Sequence, residues 1–250
     1  MKLTTDWVGS NPVFYNTETK AFGSSIHDAI DYSNVELDPD GLHDYFDFGY
    51  SVFGNTPVKN VKFLEPHSTL TISDTEISVK ENTDPVLEYL DKWSTPEEVL
   101  DKIKTSVLQW QRKDEKQVVI PTSAGYDSRL LNYMVEDKPT VHTYGYGVTP
   151  DQKDCMEVTY ATALSQLLGT KYEHIPLGDF HQDCDHWYDM YGPSLHFHGM
   201  YHIEFYKRIR EKLGDNVKIL SGIIGDLWAG KVTPEVRSPQ DIIHLGLPHA

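Results

Sequence analysis

Only two cysteines, Cys155 and Cys184, occur in 250 residues. They are too few and too isolated for a disulfide scaffold or a cysteine-built zinc centre. Long apolar runs are also missing. Nothing approaches the roughly 18 to 20 residues of a membrane span, and the N-terminal stretch Met1-Lys2-Leu3-Thr4-Thr5-Asp6 has no apolar segment of the signal-peptide kind. The expectation is a cytoplasmic protein with no membrane partner. Cations are scarce: 22 Lys and Arg stand against 38 Asp and Glu, a formal charge of −16 at pH 7. With no local run of Lys or Arg to offset it, this charge repels a nucleic-acid backbone and favours small-molecule chemistry. The P-loop sequence G-x-x-x-x-G-K-[ST] occurs nowhere, which excludes the ordinary phosphate loop.

The composition, 39% hydrophobic and 12% aromatic, is enough for a sizeable core in one or two domains. Pro12-Val13-Phe14-Tyr15 and Ala21-Phe22-Gly23 flank a polar turn and predict an antiparallel hairpin. Short helices are expected over 25–31 and 38–48. Leu70, Ile72, Ile77 and Val79 alternate on either side of Ser73-Asp74, predicting a second hairpin with one buried face. Residues 1–85 thus read as a small β-rich unit without a catalytic constellation.

A second domain, 86–250, opens with Thr95-Pro96-Glu97-Glu98, a capping box with proline at the first helical position. Val99, Leu100, Ile103, Val107 and Trp110 follow at helical spacing. Apolar strands at 117–121, 141–146, 172–177 and 217–220 then alternate with helical segments at 128–136, 154–168 and 199–213. The alternation predicts an α/β fold, a mostly parallel sheet flanked by helices, whose ligands bind outside the C-terminal ends of the strands.

Three of those ends carry unusual residues. After the first strand comes Thr122-Ser123-Ala124-Gly125-Tyr126-Asp127-Ser128, a tight loop leading into a helix N-terminus. Such an end holds anions through N–H groups that have no partner inside the helix. Ser123 and Ser128 add hydroxyls, and Gly125 permits close approach of an oxygen. Asp127 would repel a bare phosphate, but it suits a magnesium ion bridging to phosphate oxygens. Simple capping by Ser123 or Asp127 explains the same residues. Tyr144-Gly145-Tyr146-Gly147 reads either as a turn or as backbone on which a planar base lies. Ser221-Gly222-Ile223-Ile224-Gly225-Asp226 delivers another Asp, as a magnesium ion shared between neighbouring strand ends requires.

Ser123-Ala124-Gly125-Tyr126-Asp127-Ser128 resembles the pyrophosphate loop S-G-G-x-D-S of asparagine synthetases and their relatives, the PP-loop ATP pyrophosphatases, and Ser221 to Asp226 is similar to that family's S-G-E-G-x-D-E. Glu157 with Ala161, and Leu168-Gly169-Thr170, are similar to its D-E-x-x-x-A and L-G-T stretch, while Asp6 to Tyr15 resembles D-R-x-G-x-x-P-L-Y-Y near the end of its glutaminase domain. The resemblance implies a PP-loop domain of the adenine nucleotide alpha hydrolase-like fold over 86–250, preceded by a β-rich remnant of a glutaminase-like domain over 1–85. It implies an ATP-dependent amide ligase that adenylates a carboxylate, releases pyrophosphate and lets an amine displace AMP. Ser123, Gly125 and Ser128 would hold pyrophosphate. Thr122, Tyr146, Ser221 and Gly222 would contact ATP, largely through backbone, and Asp127 and Asp226 would carry magnesium and the catalysis.

The departures carry their own expectations. Residue 2 is Lys rather than the family's glutaminase Cys, so nitrogen is expected from ammonia, another amine or a separate glutaminase chain. Ile223 and Leu227 replace the two Glu of the second motif, which puts aspartate as substrate in doubt. The chain ends at Ala250, before the family's helical region with its catalytic Lys, so a truncated or split enzyme with a C-terminal partner chain, or an incomplete ATP-binding protein, is expected. Outside the resemblance, His196, His198 and His202 read either as a zinc site or as pocket-lining and locally bonded imidazoles.

Overall fold

The computed structural model describes residues 1–147 and 149–223. Among the described residues its contacts separate two compact units, one of Met1–Lys92 with Gln182–Met200, the other of Trp93–His181 with residues 201–223.

In the first unit the strands are β1 (Lys2–Thr4), β2 (Phe14–Asn16), β3 (Phe22–Gly23), β4 (Val61–Phe63), β5 (Ser68–Ile72) and β6 (Ile77–Glu81), with helix α1 (Pro39–Phe48) between β3 and β4. They form two antiparallel sheets, ordered β3-β2-β4 and β1-β5-β6. The two sequence-predicted hairpins are β2–β3, with Tyr15 opposite Phe22, and β5–β6, with Leu70 opposite Val79. The second has a buried face on one strand only. Leu70 and Ile72, on the central strand, are buried, whereas Val79, on the edge strand β6, is 46% exposed. The predicted helix at 25–31 shrinks to a 3-10 turn, Ile26–Asp28, closed by a capping box from Ser25. α1 starts as Asp38 predicts: the carboxylate accepts from the backbone N–H groups of Asp40 and Gly41 at 3.1 and 3.0 Å. It stops at Gly49, whose φ of +78° suits the left-handed cap.

The second unit contains α2 (Pro96–Gln111), β7 (Gln117–Pro121), α3 (Tyr126–Met134), β8 (His142–Gly145), α4 (Met156–Leu168) and β9 (Lys171–His174). Helix α5 (Cys184–Tyr191) belongs to the first unit, and α6 (Tyr201–Leu213) and β10 (Val217–Ile219) return to the second. The capping box at Thr95 and Glu98 is present. The stripe it introduces is buried only in its second half: Val99 and Leu100 are exposed, while Ile103, Val107 and Trp110 pack inward.

β10, β7, β8 and β9, in that order, form one fully parallel sheet. On one face Val118, Ile120 and Val141 pack with Val107 of α2 and Met134 of α3. Thr143 of β8 bonds Ser165 of α4 on that side. On the other face Val119 and Tyr144 meet Phe205 and Ile209 of α6. Helices thus cover both faces, and β7 has no polar face. Its Val119 and Ile120 are fully buried, each worth about 1.5 to 3 kcal/mol of transfer free energy. No helix among the described residues is long and apolar enough to cross a membrane.

Candidate functional site

Strand order decides where this sheet can hold a ligand. From β7 the chain steps outward to β8 and β9, then returns to place β10 on the opposite side of β7. The connections leaving β7 and β10 therefore diverge, and a crevice opens between their C-terminal ends. A pocket of ≈ 330 Å³ lies there, lined by the ends of β7, β8 and β10 and by residues of α3, α4 and α6.

Its floor is the 122–128 loop. The Thr122 N–H continues the sheet to the Tyr144 carbonyl at 2.8 Å, and its hydroxyl donates to the Ile120 carbonyl at 3.0 Å. Asn132, one turn beyond Ser128 in α3, donates to Thr122 Oγ1 at 2.9 Å and to the Ser128 carbonyl at 2.8 Å. Thr122 is thus buried and committed within the protein. Ser128 Oγ accepts from the Ser123 N–H at 3.2 Å and donates to the Gly125 carbonyl at 3.3 Å, while Ser123 Oγ accepts from the Gly125 N–H at 3.1 Å. The two serines hold the loop's shape.

α3 begins at Tyr126 with Gly125 as its N-cap, and no side chain caps it. The capping explanation therefore fails: neither Ser123 nor Asp127 closes the helix end, and first-turn N–H groups stay available at the pocket. Asp127 is half-buried on the pocket wall and has no hydrogen-bond or ion-pair partner among the described residues.

Gly222, after β10, lies against this helix end. A Cβ there would sit 3.0 Å from the Ser128 nitrogen and 3.1 Å from the Asp127 Cβ, so a side chain at this position would push the two strand-end loops apart by a few tenths of an ångström. The Ser221 hydroxyl accepts from the Ile223 N–H at 3.2 Å. Ile223 is 67% exposed at the rim. Asp226, the second expected magnesium ligand, lies outside the described residues.

The glycines of Tyr144-Gly145-Tyr146-Gly147 have packing reasons. A Cβ on Gly145 would meet the Thr122 carbonyl and Tyr172 Oη at 2.6 Å, and one on Gly147 would meet the Gln152 carbonyl at 2.3 Å and Cys155 Sγ at 2.7 Å. Tyr146 Oη is hydrogen-bonded to His202 Nε2 at 3.1 Å, and its ring packs edge-on against Phe205. Burial raises the Tyr146 phenol well above its usual value, with Tyr201 adding to the effect, and burial also raises Tyr206. Both stay neutral phenols at ordinary pH. Desolvation, with the neighbouring Cys155, pushes Tyr172 up to about 12.

The structure therefore brings Thr122, Ser123, Gly125, Asp127, Ser128, Tyr146, Ser221 and Gly222 to one pocket. Of the three histidines only His202 is there. His196 Nδ1 accepts from the His198 N–H at 3.0 Å, and no group of three metal-ligating side chains occurs among the described residues. The aromatic wall of Phe205 and Tyr206 was not foreseen. Its signal in the sequence is the helical stripe Tyr201, His202, Phe205, Tyr206, indistinguishable from ordinary core packing.

Neither a protein family nor a curated protein matches this sequence. Among solved structures, the NH3-dependent NAD synthetase from Campylobacter jejuni subsp. jejuni NCTC 11168, in complex with the nitrate ion, is similar over 51% of this chain and 56% of its own, with 13% identity and a TM-score of 0.36. So distant a likeness says nothing about activity.

Proposed function

We propose that this chain is an ATP-dependent, AMP- and pyrophosphate-forming carbon–nitrogen ligase of the asparagine synthetase type, joining a carboxylate to ammonia or another amine. The observation that carries the reading is the uncapped N-terminus of α3 at the β7/β10 switch point, with partnerless Asp127 beside it and Gly222 packed on its first turn. An uncapped helix end takes the phosphate chain through backbone N–H groups. A lone carboxylate beside it fits a magnesium ion, which when bound would neutralise phosphate charge. In this reading Asp127 and Asp226 hold the metal, Ser123, Gly125 and Ser128 shape the pyrophosphate cradle, and Tyr146, Ser221 and Gly222 contact the nucleotide while Thr122 anchors the floor. The first unit is then the remnant of a glutaminase-like domain.

A carboxylate oxygen would attack the α-phosphorus, breaking its bond to the bridging oxygen and releasing pyrophosphate. An amine would then attack the acyl carbon and expel AMP. Fixed N–H donors aimed at the oxygens where charge develops supply much of the stabilisation. A nucleotide-binding protein that stops short of ligation is the second reading, favoured by exposed Ile223, which brings no carboxylate to the rim.

Incubation with ATP, magnesium and a panel of carboxylates and amines separates the two. Ligation gives equal amounts of AMP and pyrophosphate that depend on the carboxylate. ATP binding without AMP, with or without ADP and inorganic phosphate, supports the second reading, and no binding excludes both.

A further inference from the structure

Helix α4 keeps its smaller residues inside and its larger ones outside. Val158, Ala161 and Ser165 are buried against the sheet, while Met156, Tyr160 and Leu167 are 62%, 55% and 83% exposed. Thr159, Ala163 and Gln166 are exposed beside them, and Glu157, the one charged residue of the helix, lines the pocket. Every exposed position of α4 is therefore uncharged, in a chain with a formal charge of −16. A solvated helix face ordinarily carries charges, and an apolar stripe left outside marks a contact surface.

The stripe has the spacing of a helix–helix seam and an internal two-fold. Met156, Tyr160, Ala163 and Leu167 follow one another at steps of four, three and four residues, which keeps them on one line of an α-helix. The steps read the same from either end. A second α4 laid antiparallel, with the axis between Ala161 and Thr162, therefore sets Tyr160 against the second copy's Ala163 and Met156 against its Leu167 at once. In one layer the ring fills the space beside a methyl group, and in the other a flexible Met meets a Leu.

We propose that α4 is the contact helix of a weak, reversible two-fold dimer of this chain, with the two copies of α4 packed antiparallel. An isologous contact requires a patch complementary to itself, which this register provides. The charge balance favours the same occupant. A basic partner would find no exposed carboxylate on this stripe, whereas two like-charged copies meet with least repulsion where neither brings charge. Size sets the strength: the exposed parts of Met156, Tyr160 and Leu167 amount to about 400 Å² per copy, half of the roughly 800 Å² per partner of a standard interface. A Kd of about 10 to 100 µM is expected from a seam of this size.

Sedimentation equilibrium of the full chain, from about 5 to about 500 µM at about 0.15 M salt, tests this without reference to what the pocket binds. The expected result is a monomer–dimer equilibrium that tightens at least twofold at about 0.5 M salt, because salt screens the repulsion between the copies. Tyr160→Glu and Ala163→Lys change exposed positions, so thermal melts should be unchanged while each variant alone weakens the dimer at least tenfold. Leu167→Ser, which adds no charge, should weaken it about fivefold. Mixing Tyr160→Glu with Ala163→Lys in equal amounts should restore the dimer. One layer then joins the new carboxylate to the new ammonium, and the other keeps its original Tyr–Ala pair. A monomer at every concentration overturns the proposal, as does a dimer that salt weakens or that the single variants leave intact. Failure of the mixture to associate overturns the antiparallel register and with it the two-fold contact.

Discussion

Asn132 is the residue whose removal best tests how the phosphate loop is held. It is fully buried on α3, and its amide nitrogen donates to both Thr122 Oγ1 and the Ser128 carbonyl, fastening the end of β7 to the first turn of the helix. Its Oδ1 is buried without a partner. In Asn132→Ala two hydrogen bonds are lost, about 1 kcal/mol net each. The space left by the amide costs about 1 kcal/mol more, and removing the orphaned oxygen gives back about 1 kcal/mol. The expected destabilisation is therefore about 2 kcal/mol. Urea unfolding should show the midpoint falling by about 1 M for an m-value of about 2 kcal/mol/M. Thr122→Val removes the same Thr122–Asn132 bond from its other end, so the double variant should be less destabilised than the sum of the singles, by about 1 kcal/mol. A loss under about 0.5 kcal/mol for Asn132→Ala, or strict additivity in the cycle, would refute the fastening role.

Asp127→Asn keeps the loop backbone but removes the charge, so magnesium-dependent ATP binding should vanish in calorimetry while the unfolding midpoint stays put; unchanged ATP affinity sinks the metal assignment. Gly222→Ala puts a methyl group 3.0 Å from the Ser128 nitrogen, and a backbone shift of a few tenths of an ångström should weaken ATP at least tenfold with under about 1 kcal/mol lost in stability. Glu204, buried on α6, accepts from the Gly178 and Asp179 N–H groups at 3.0 Å and from Arg208. Burial pulls its pKa up, but Arg208 and the two N–H groups together pull harder, so it ends below the usual glutamate value. A depressed folded pKa means its stabilisation is complete above the unfolded value and fades as pH falls through the folded one. Glu204→Gln should therefore flatten the acid limb of the stability profile below about pH 4.5, and an unchanged limb counts against this network.

What the sequence made legible was local. Strand positions in the second unit, the capping box at Thr95, the Asp38 start of α1 and the turn between β5 and β6 depend on neighbours a few residues away, and each is found where its residues point. The loop from Thr122 to Ser128 was readable for the same reason. Long-range partners were not. β1 pairs with β5 across the whole first unit, and α5 lies with residues more than a hundred positions earlier, as the bond from His27 Nε2 to the Tyr188 carbonyl shows. Nothing in a short polar-aromatic helix specifies such a partner. Asn132 carries no local signal of its role, and only the fold shows that it bonds the end of the preceding strand. The glycines at 145 and 147 had two readings, and packing against Thr122, Tyr172, Gln152 and Cys155 supplies a sufficient reason for both.

The pocket has an electrostatic consequence that sets it apart from phosphate sites built on lysine. A polyanion approaching this chain meets a formal charge of −16, and the described lining includes carboxylates but neither Lys nor Arg. The attraction that remains is short-ranged: N–H groups at the end of α3, whose field fades within a turn, and a magnesium ion that accompanies the nucleotide. Long-range repulsion is screened by salt, with a Debye length of about 30 Å at 0.01 M shrinking to about 8 Å at 0.15 M. The short-range contacts are screened far less. Affinity for ATP at saturating magnesium should therefore rise, by about two- to fivefold, between these ionic strengths. A site that owed its affinity to cationic side chains would do the opposite. Calorimetric titrations at the two salt concentrations, with free magnesium held constant, read the sign directly, and a Kd that increases with salt would mean that a cation outside the described lining holds the phosphates.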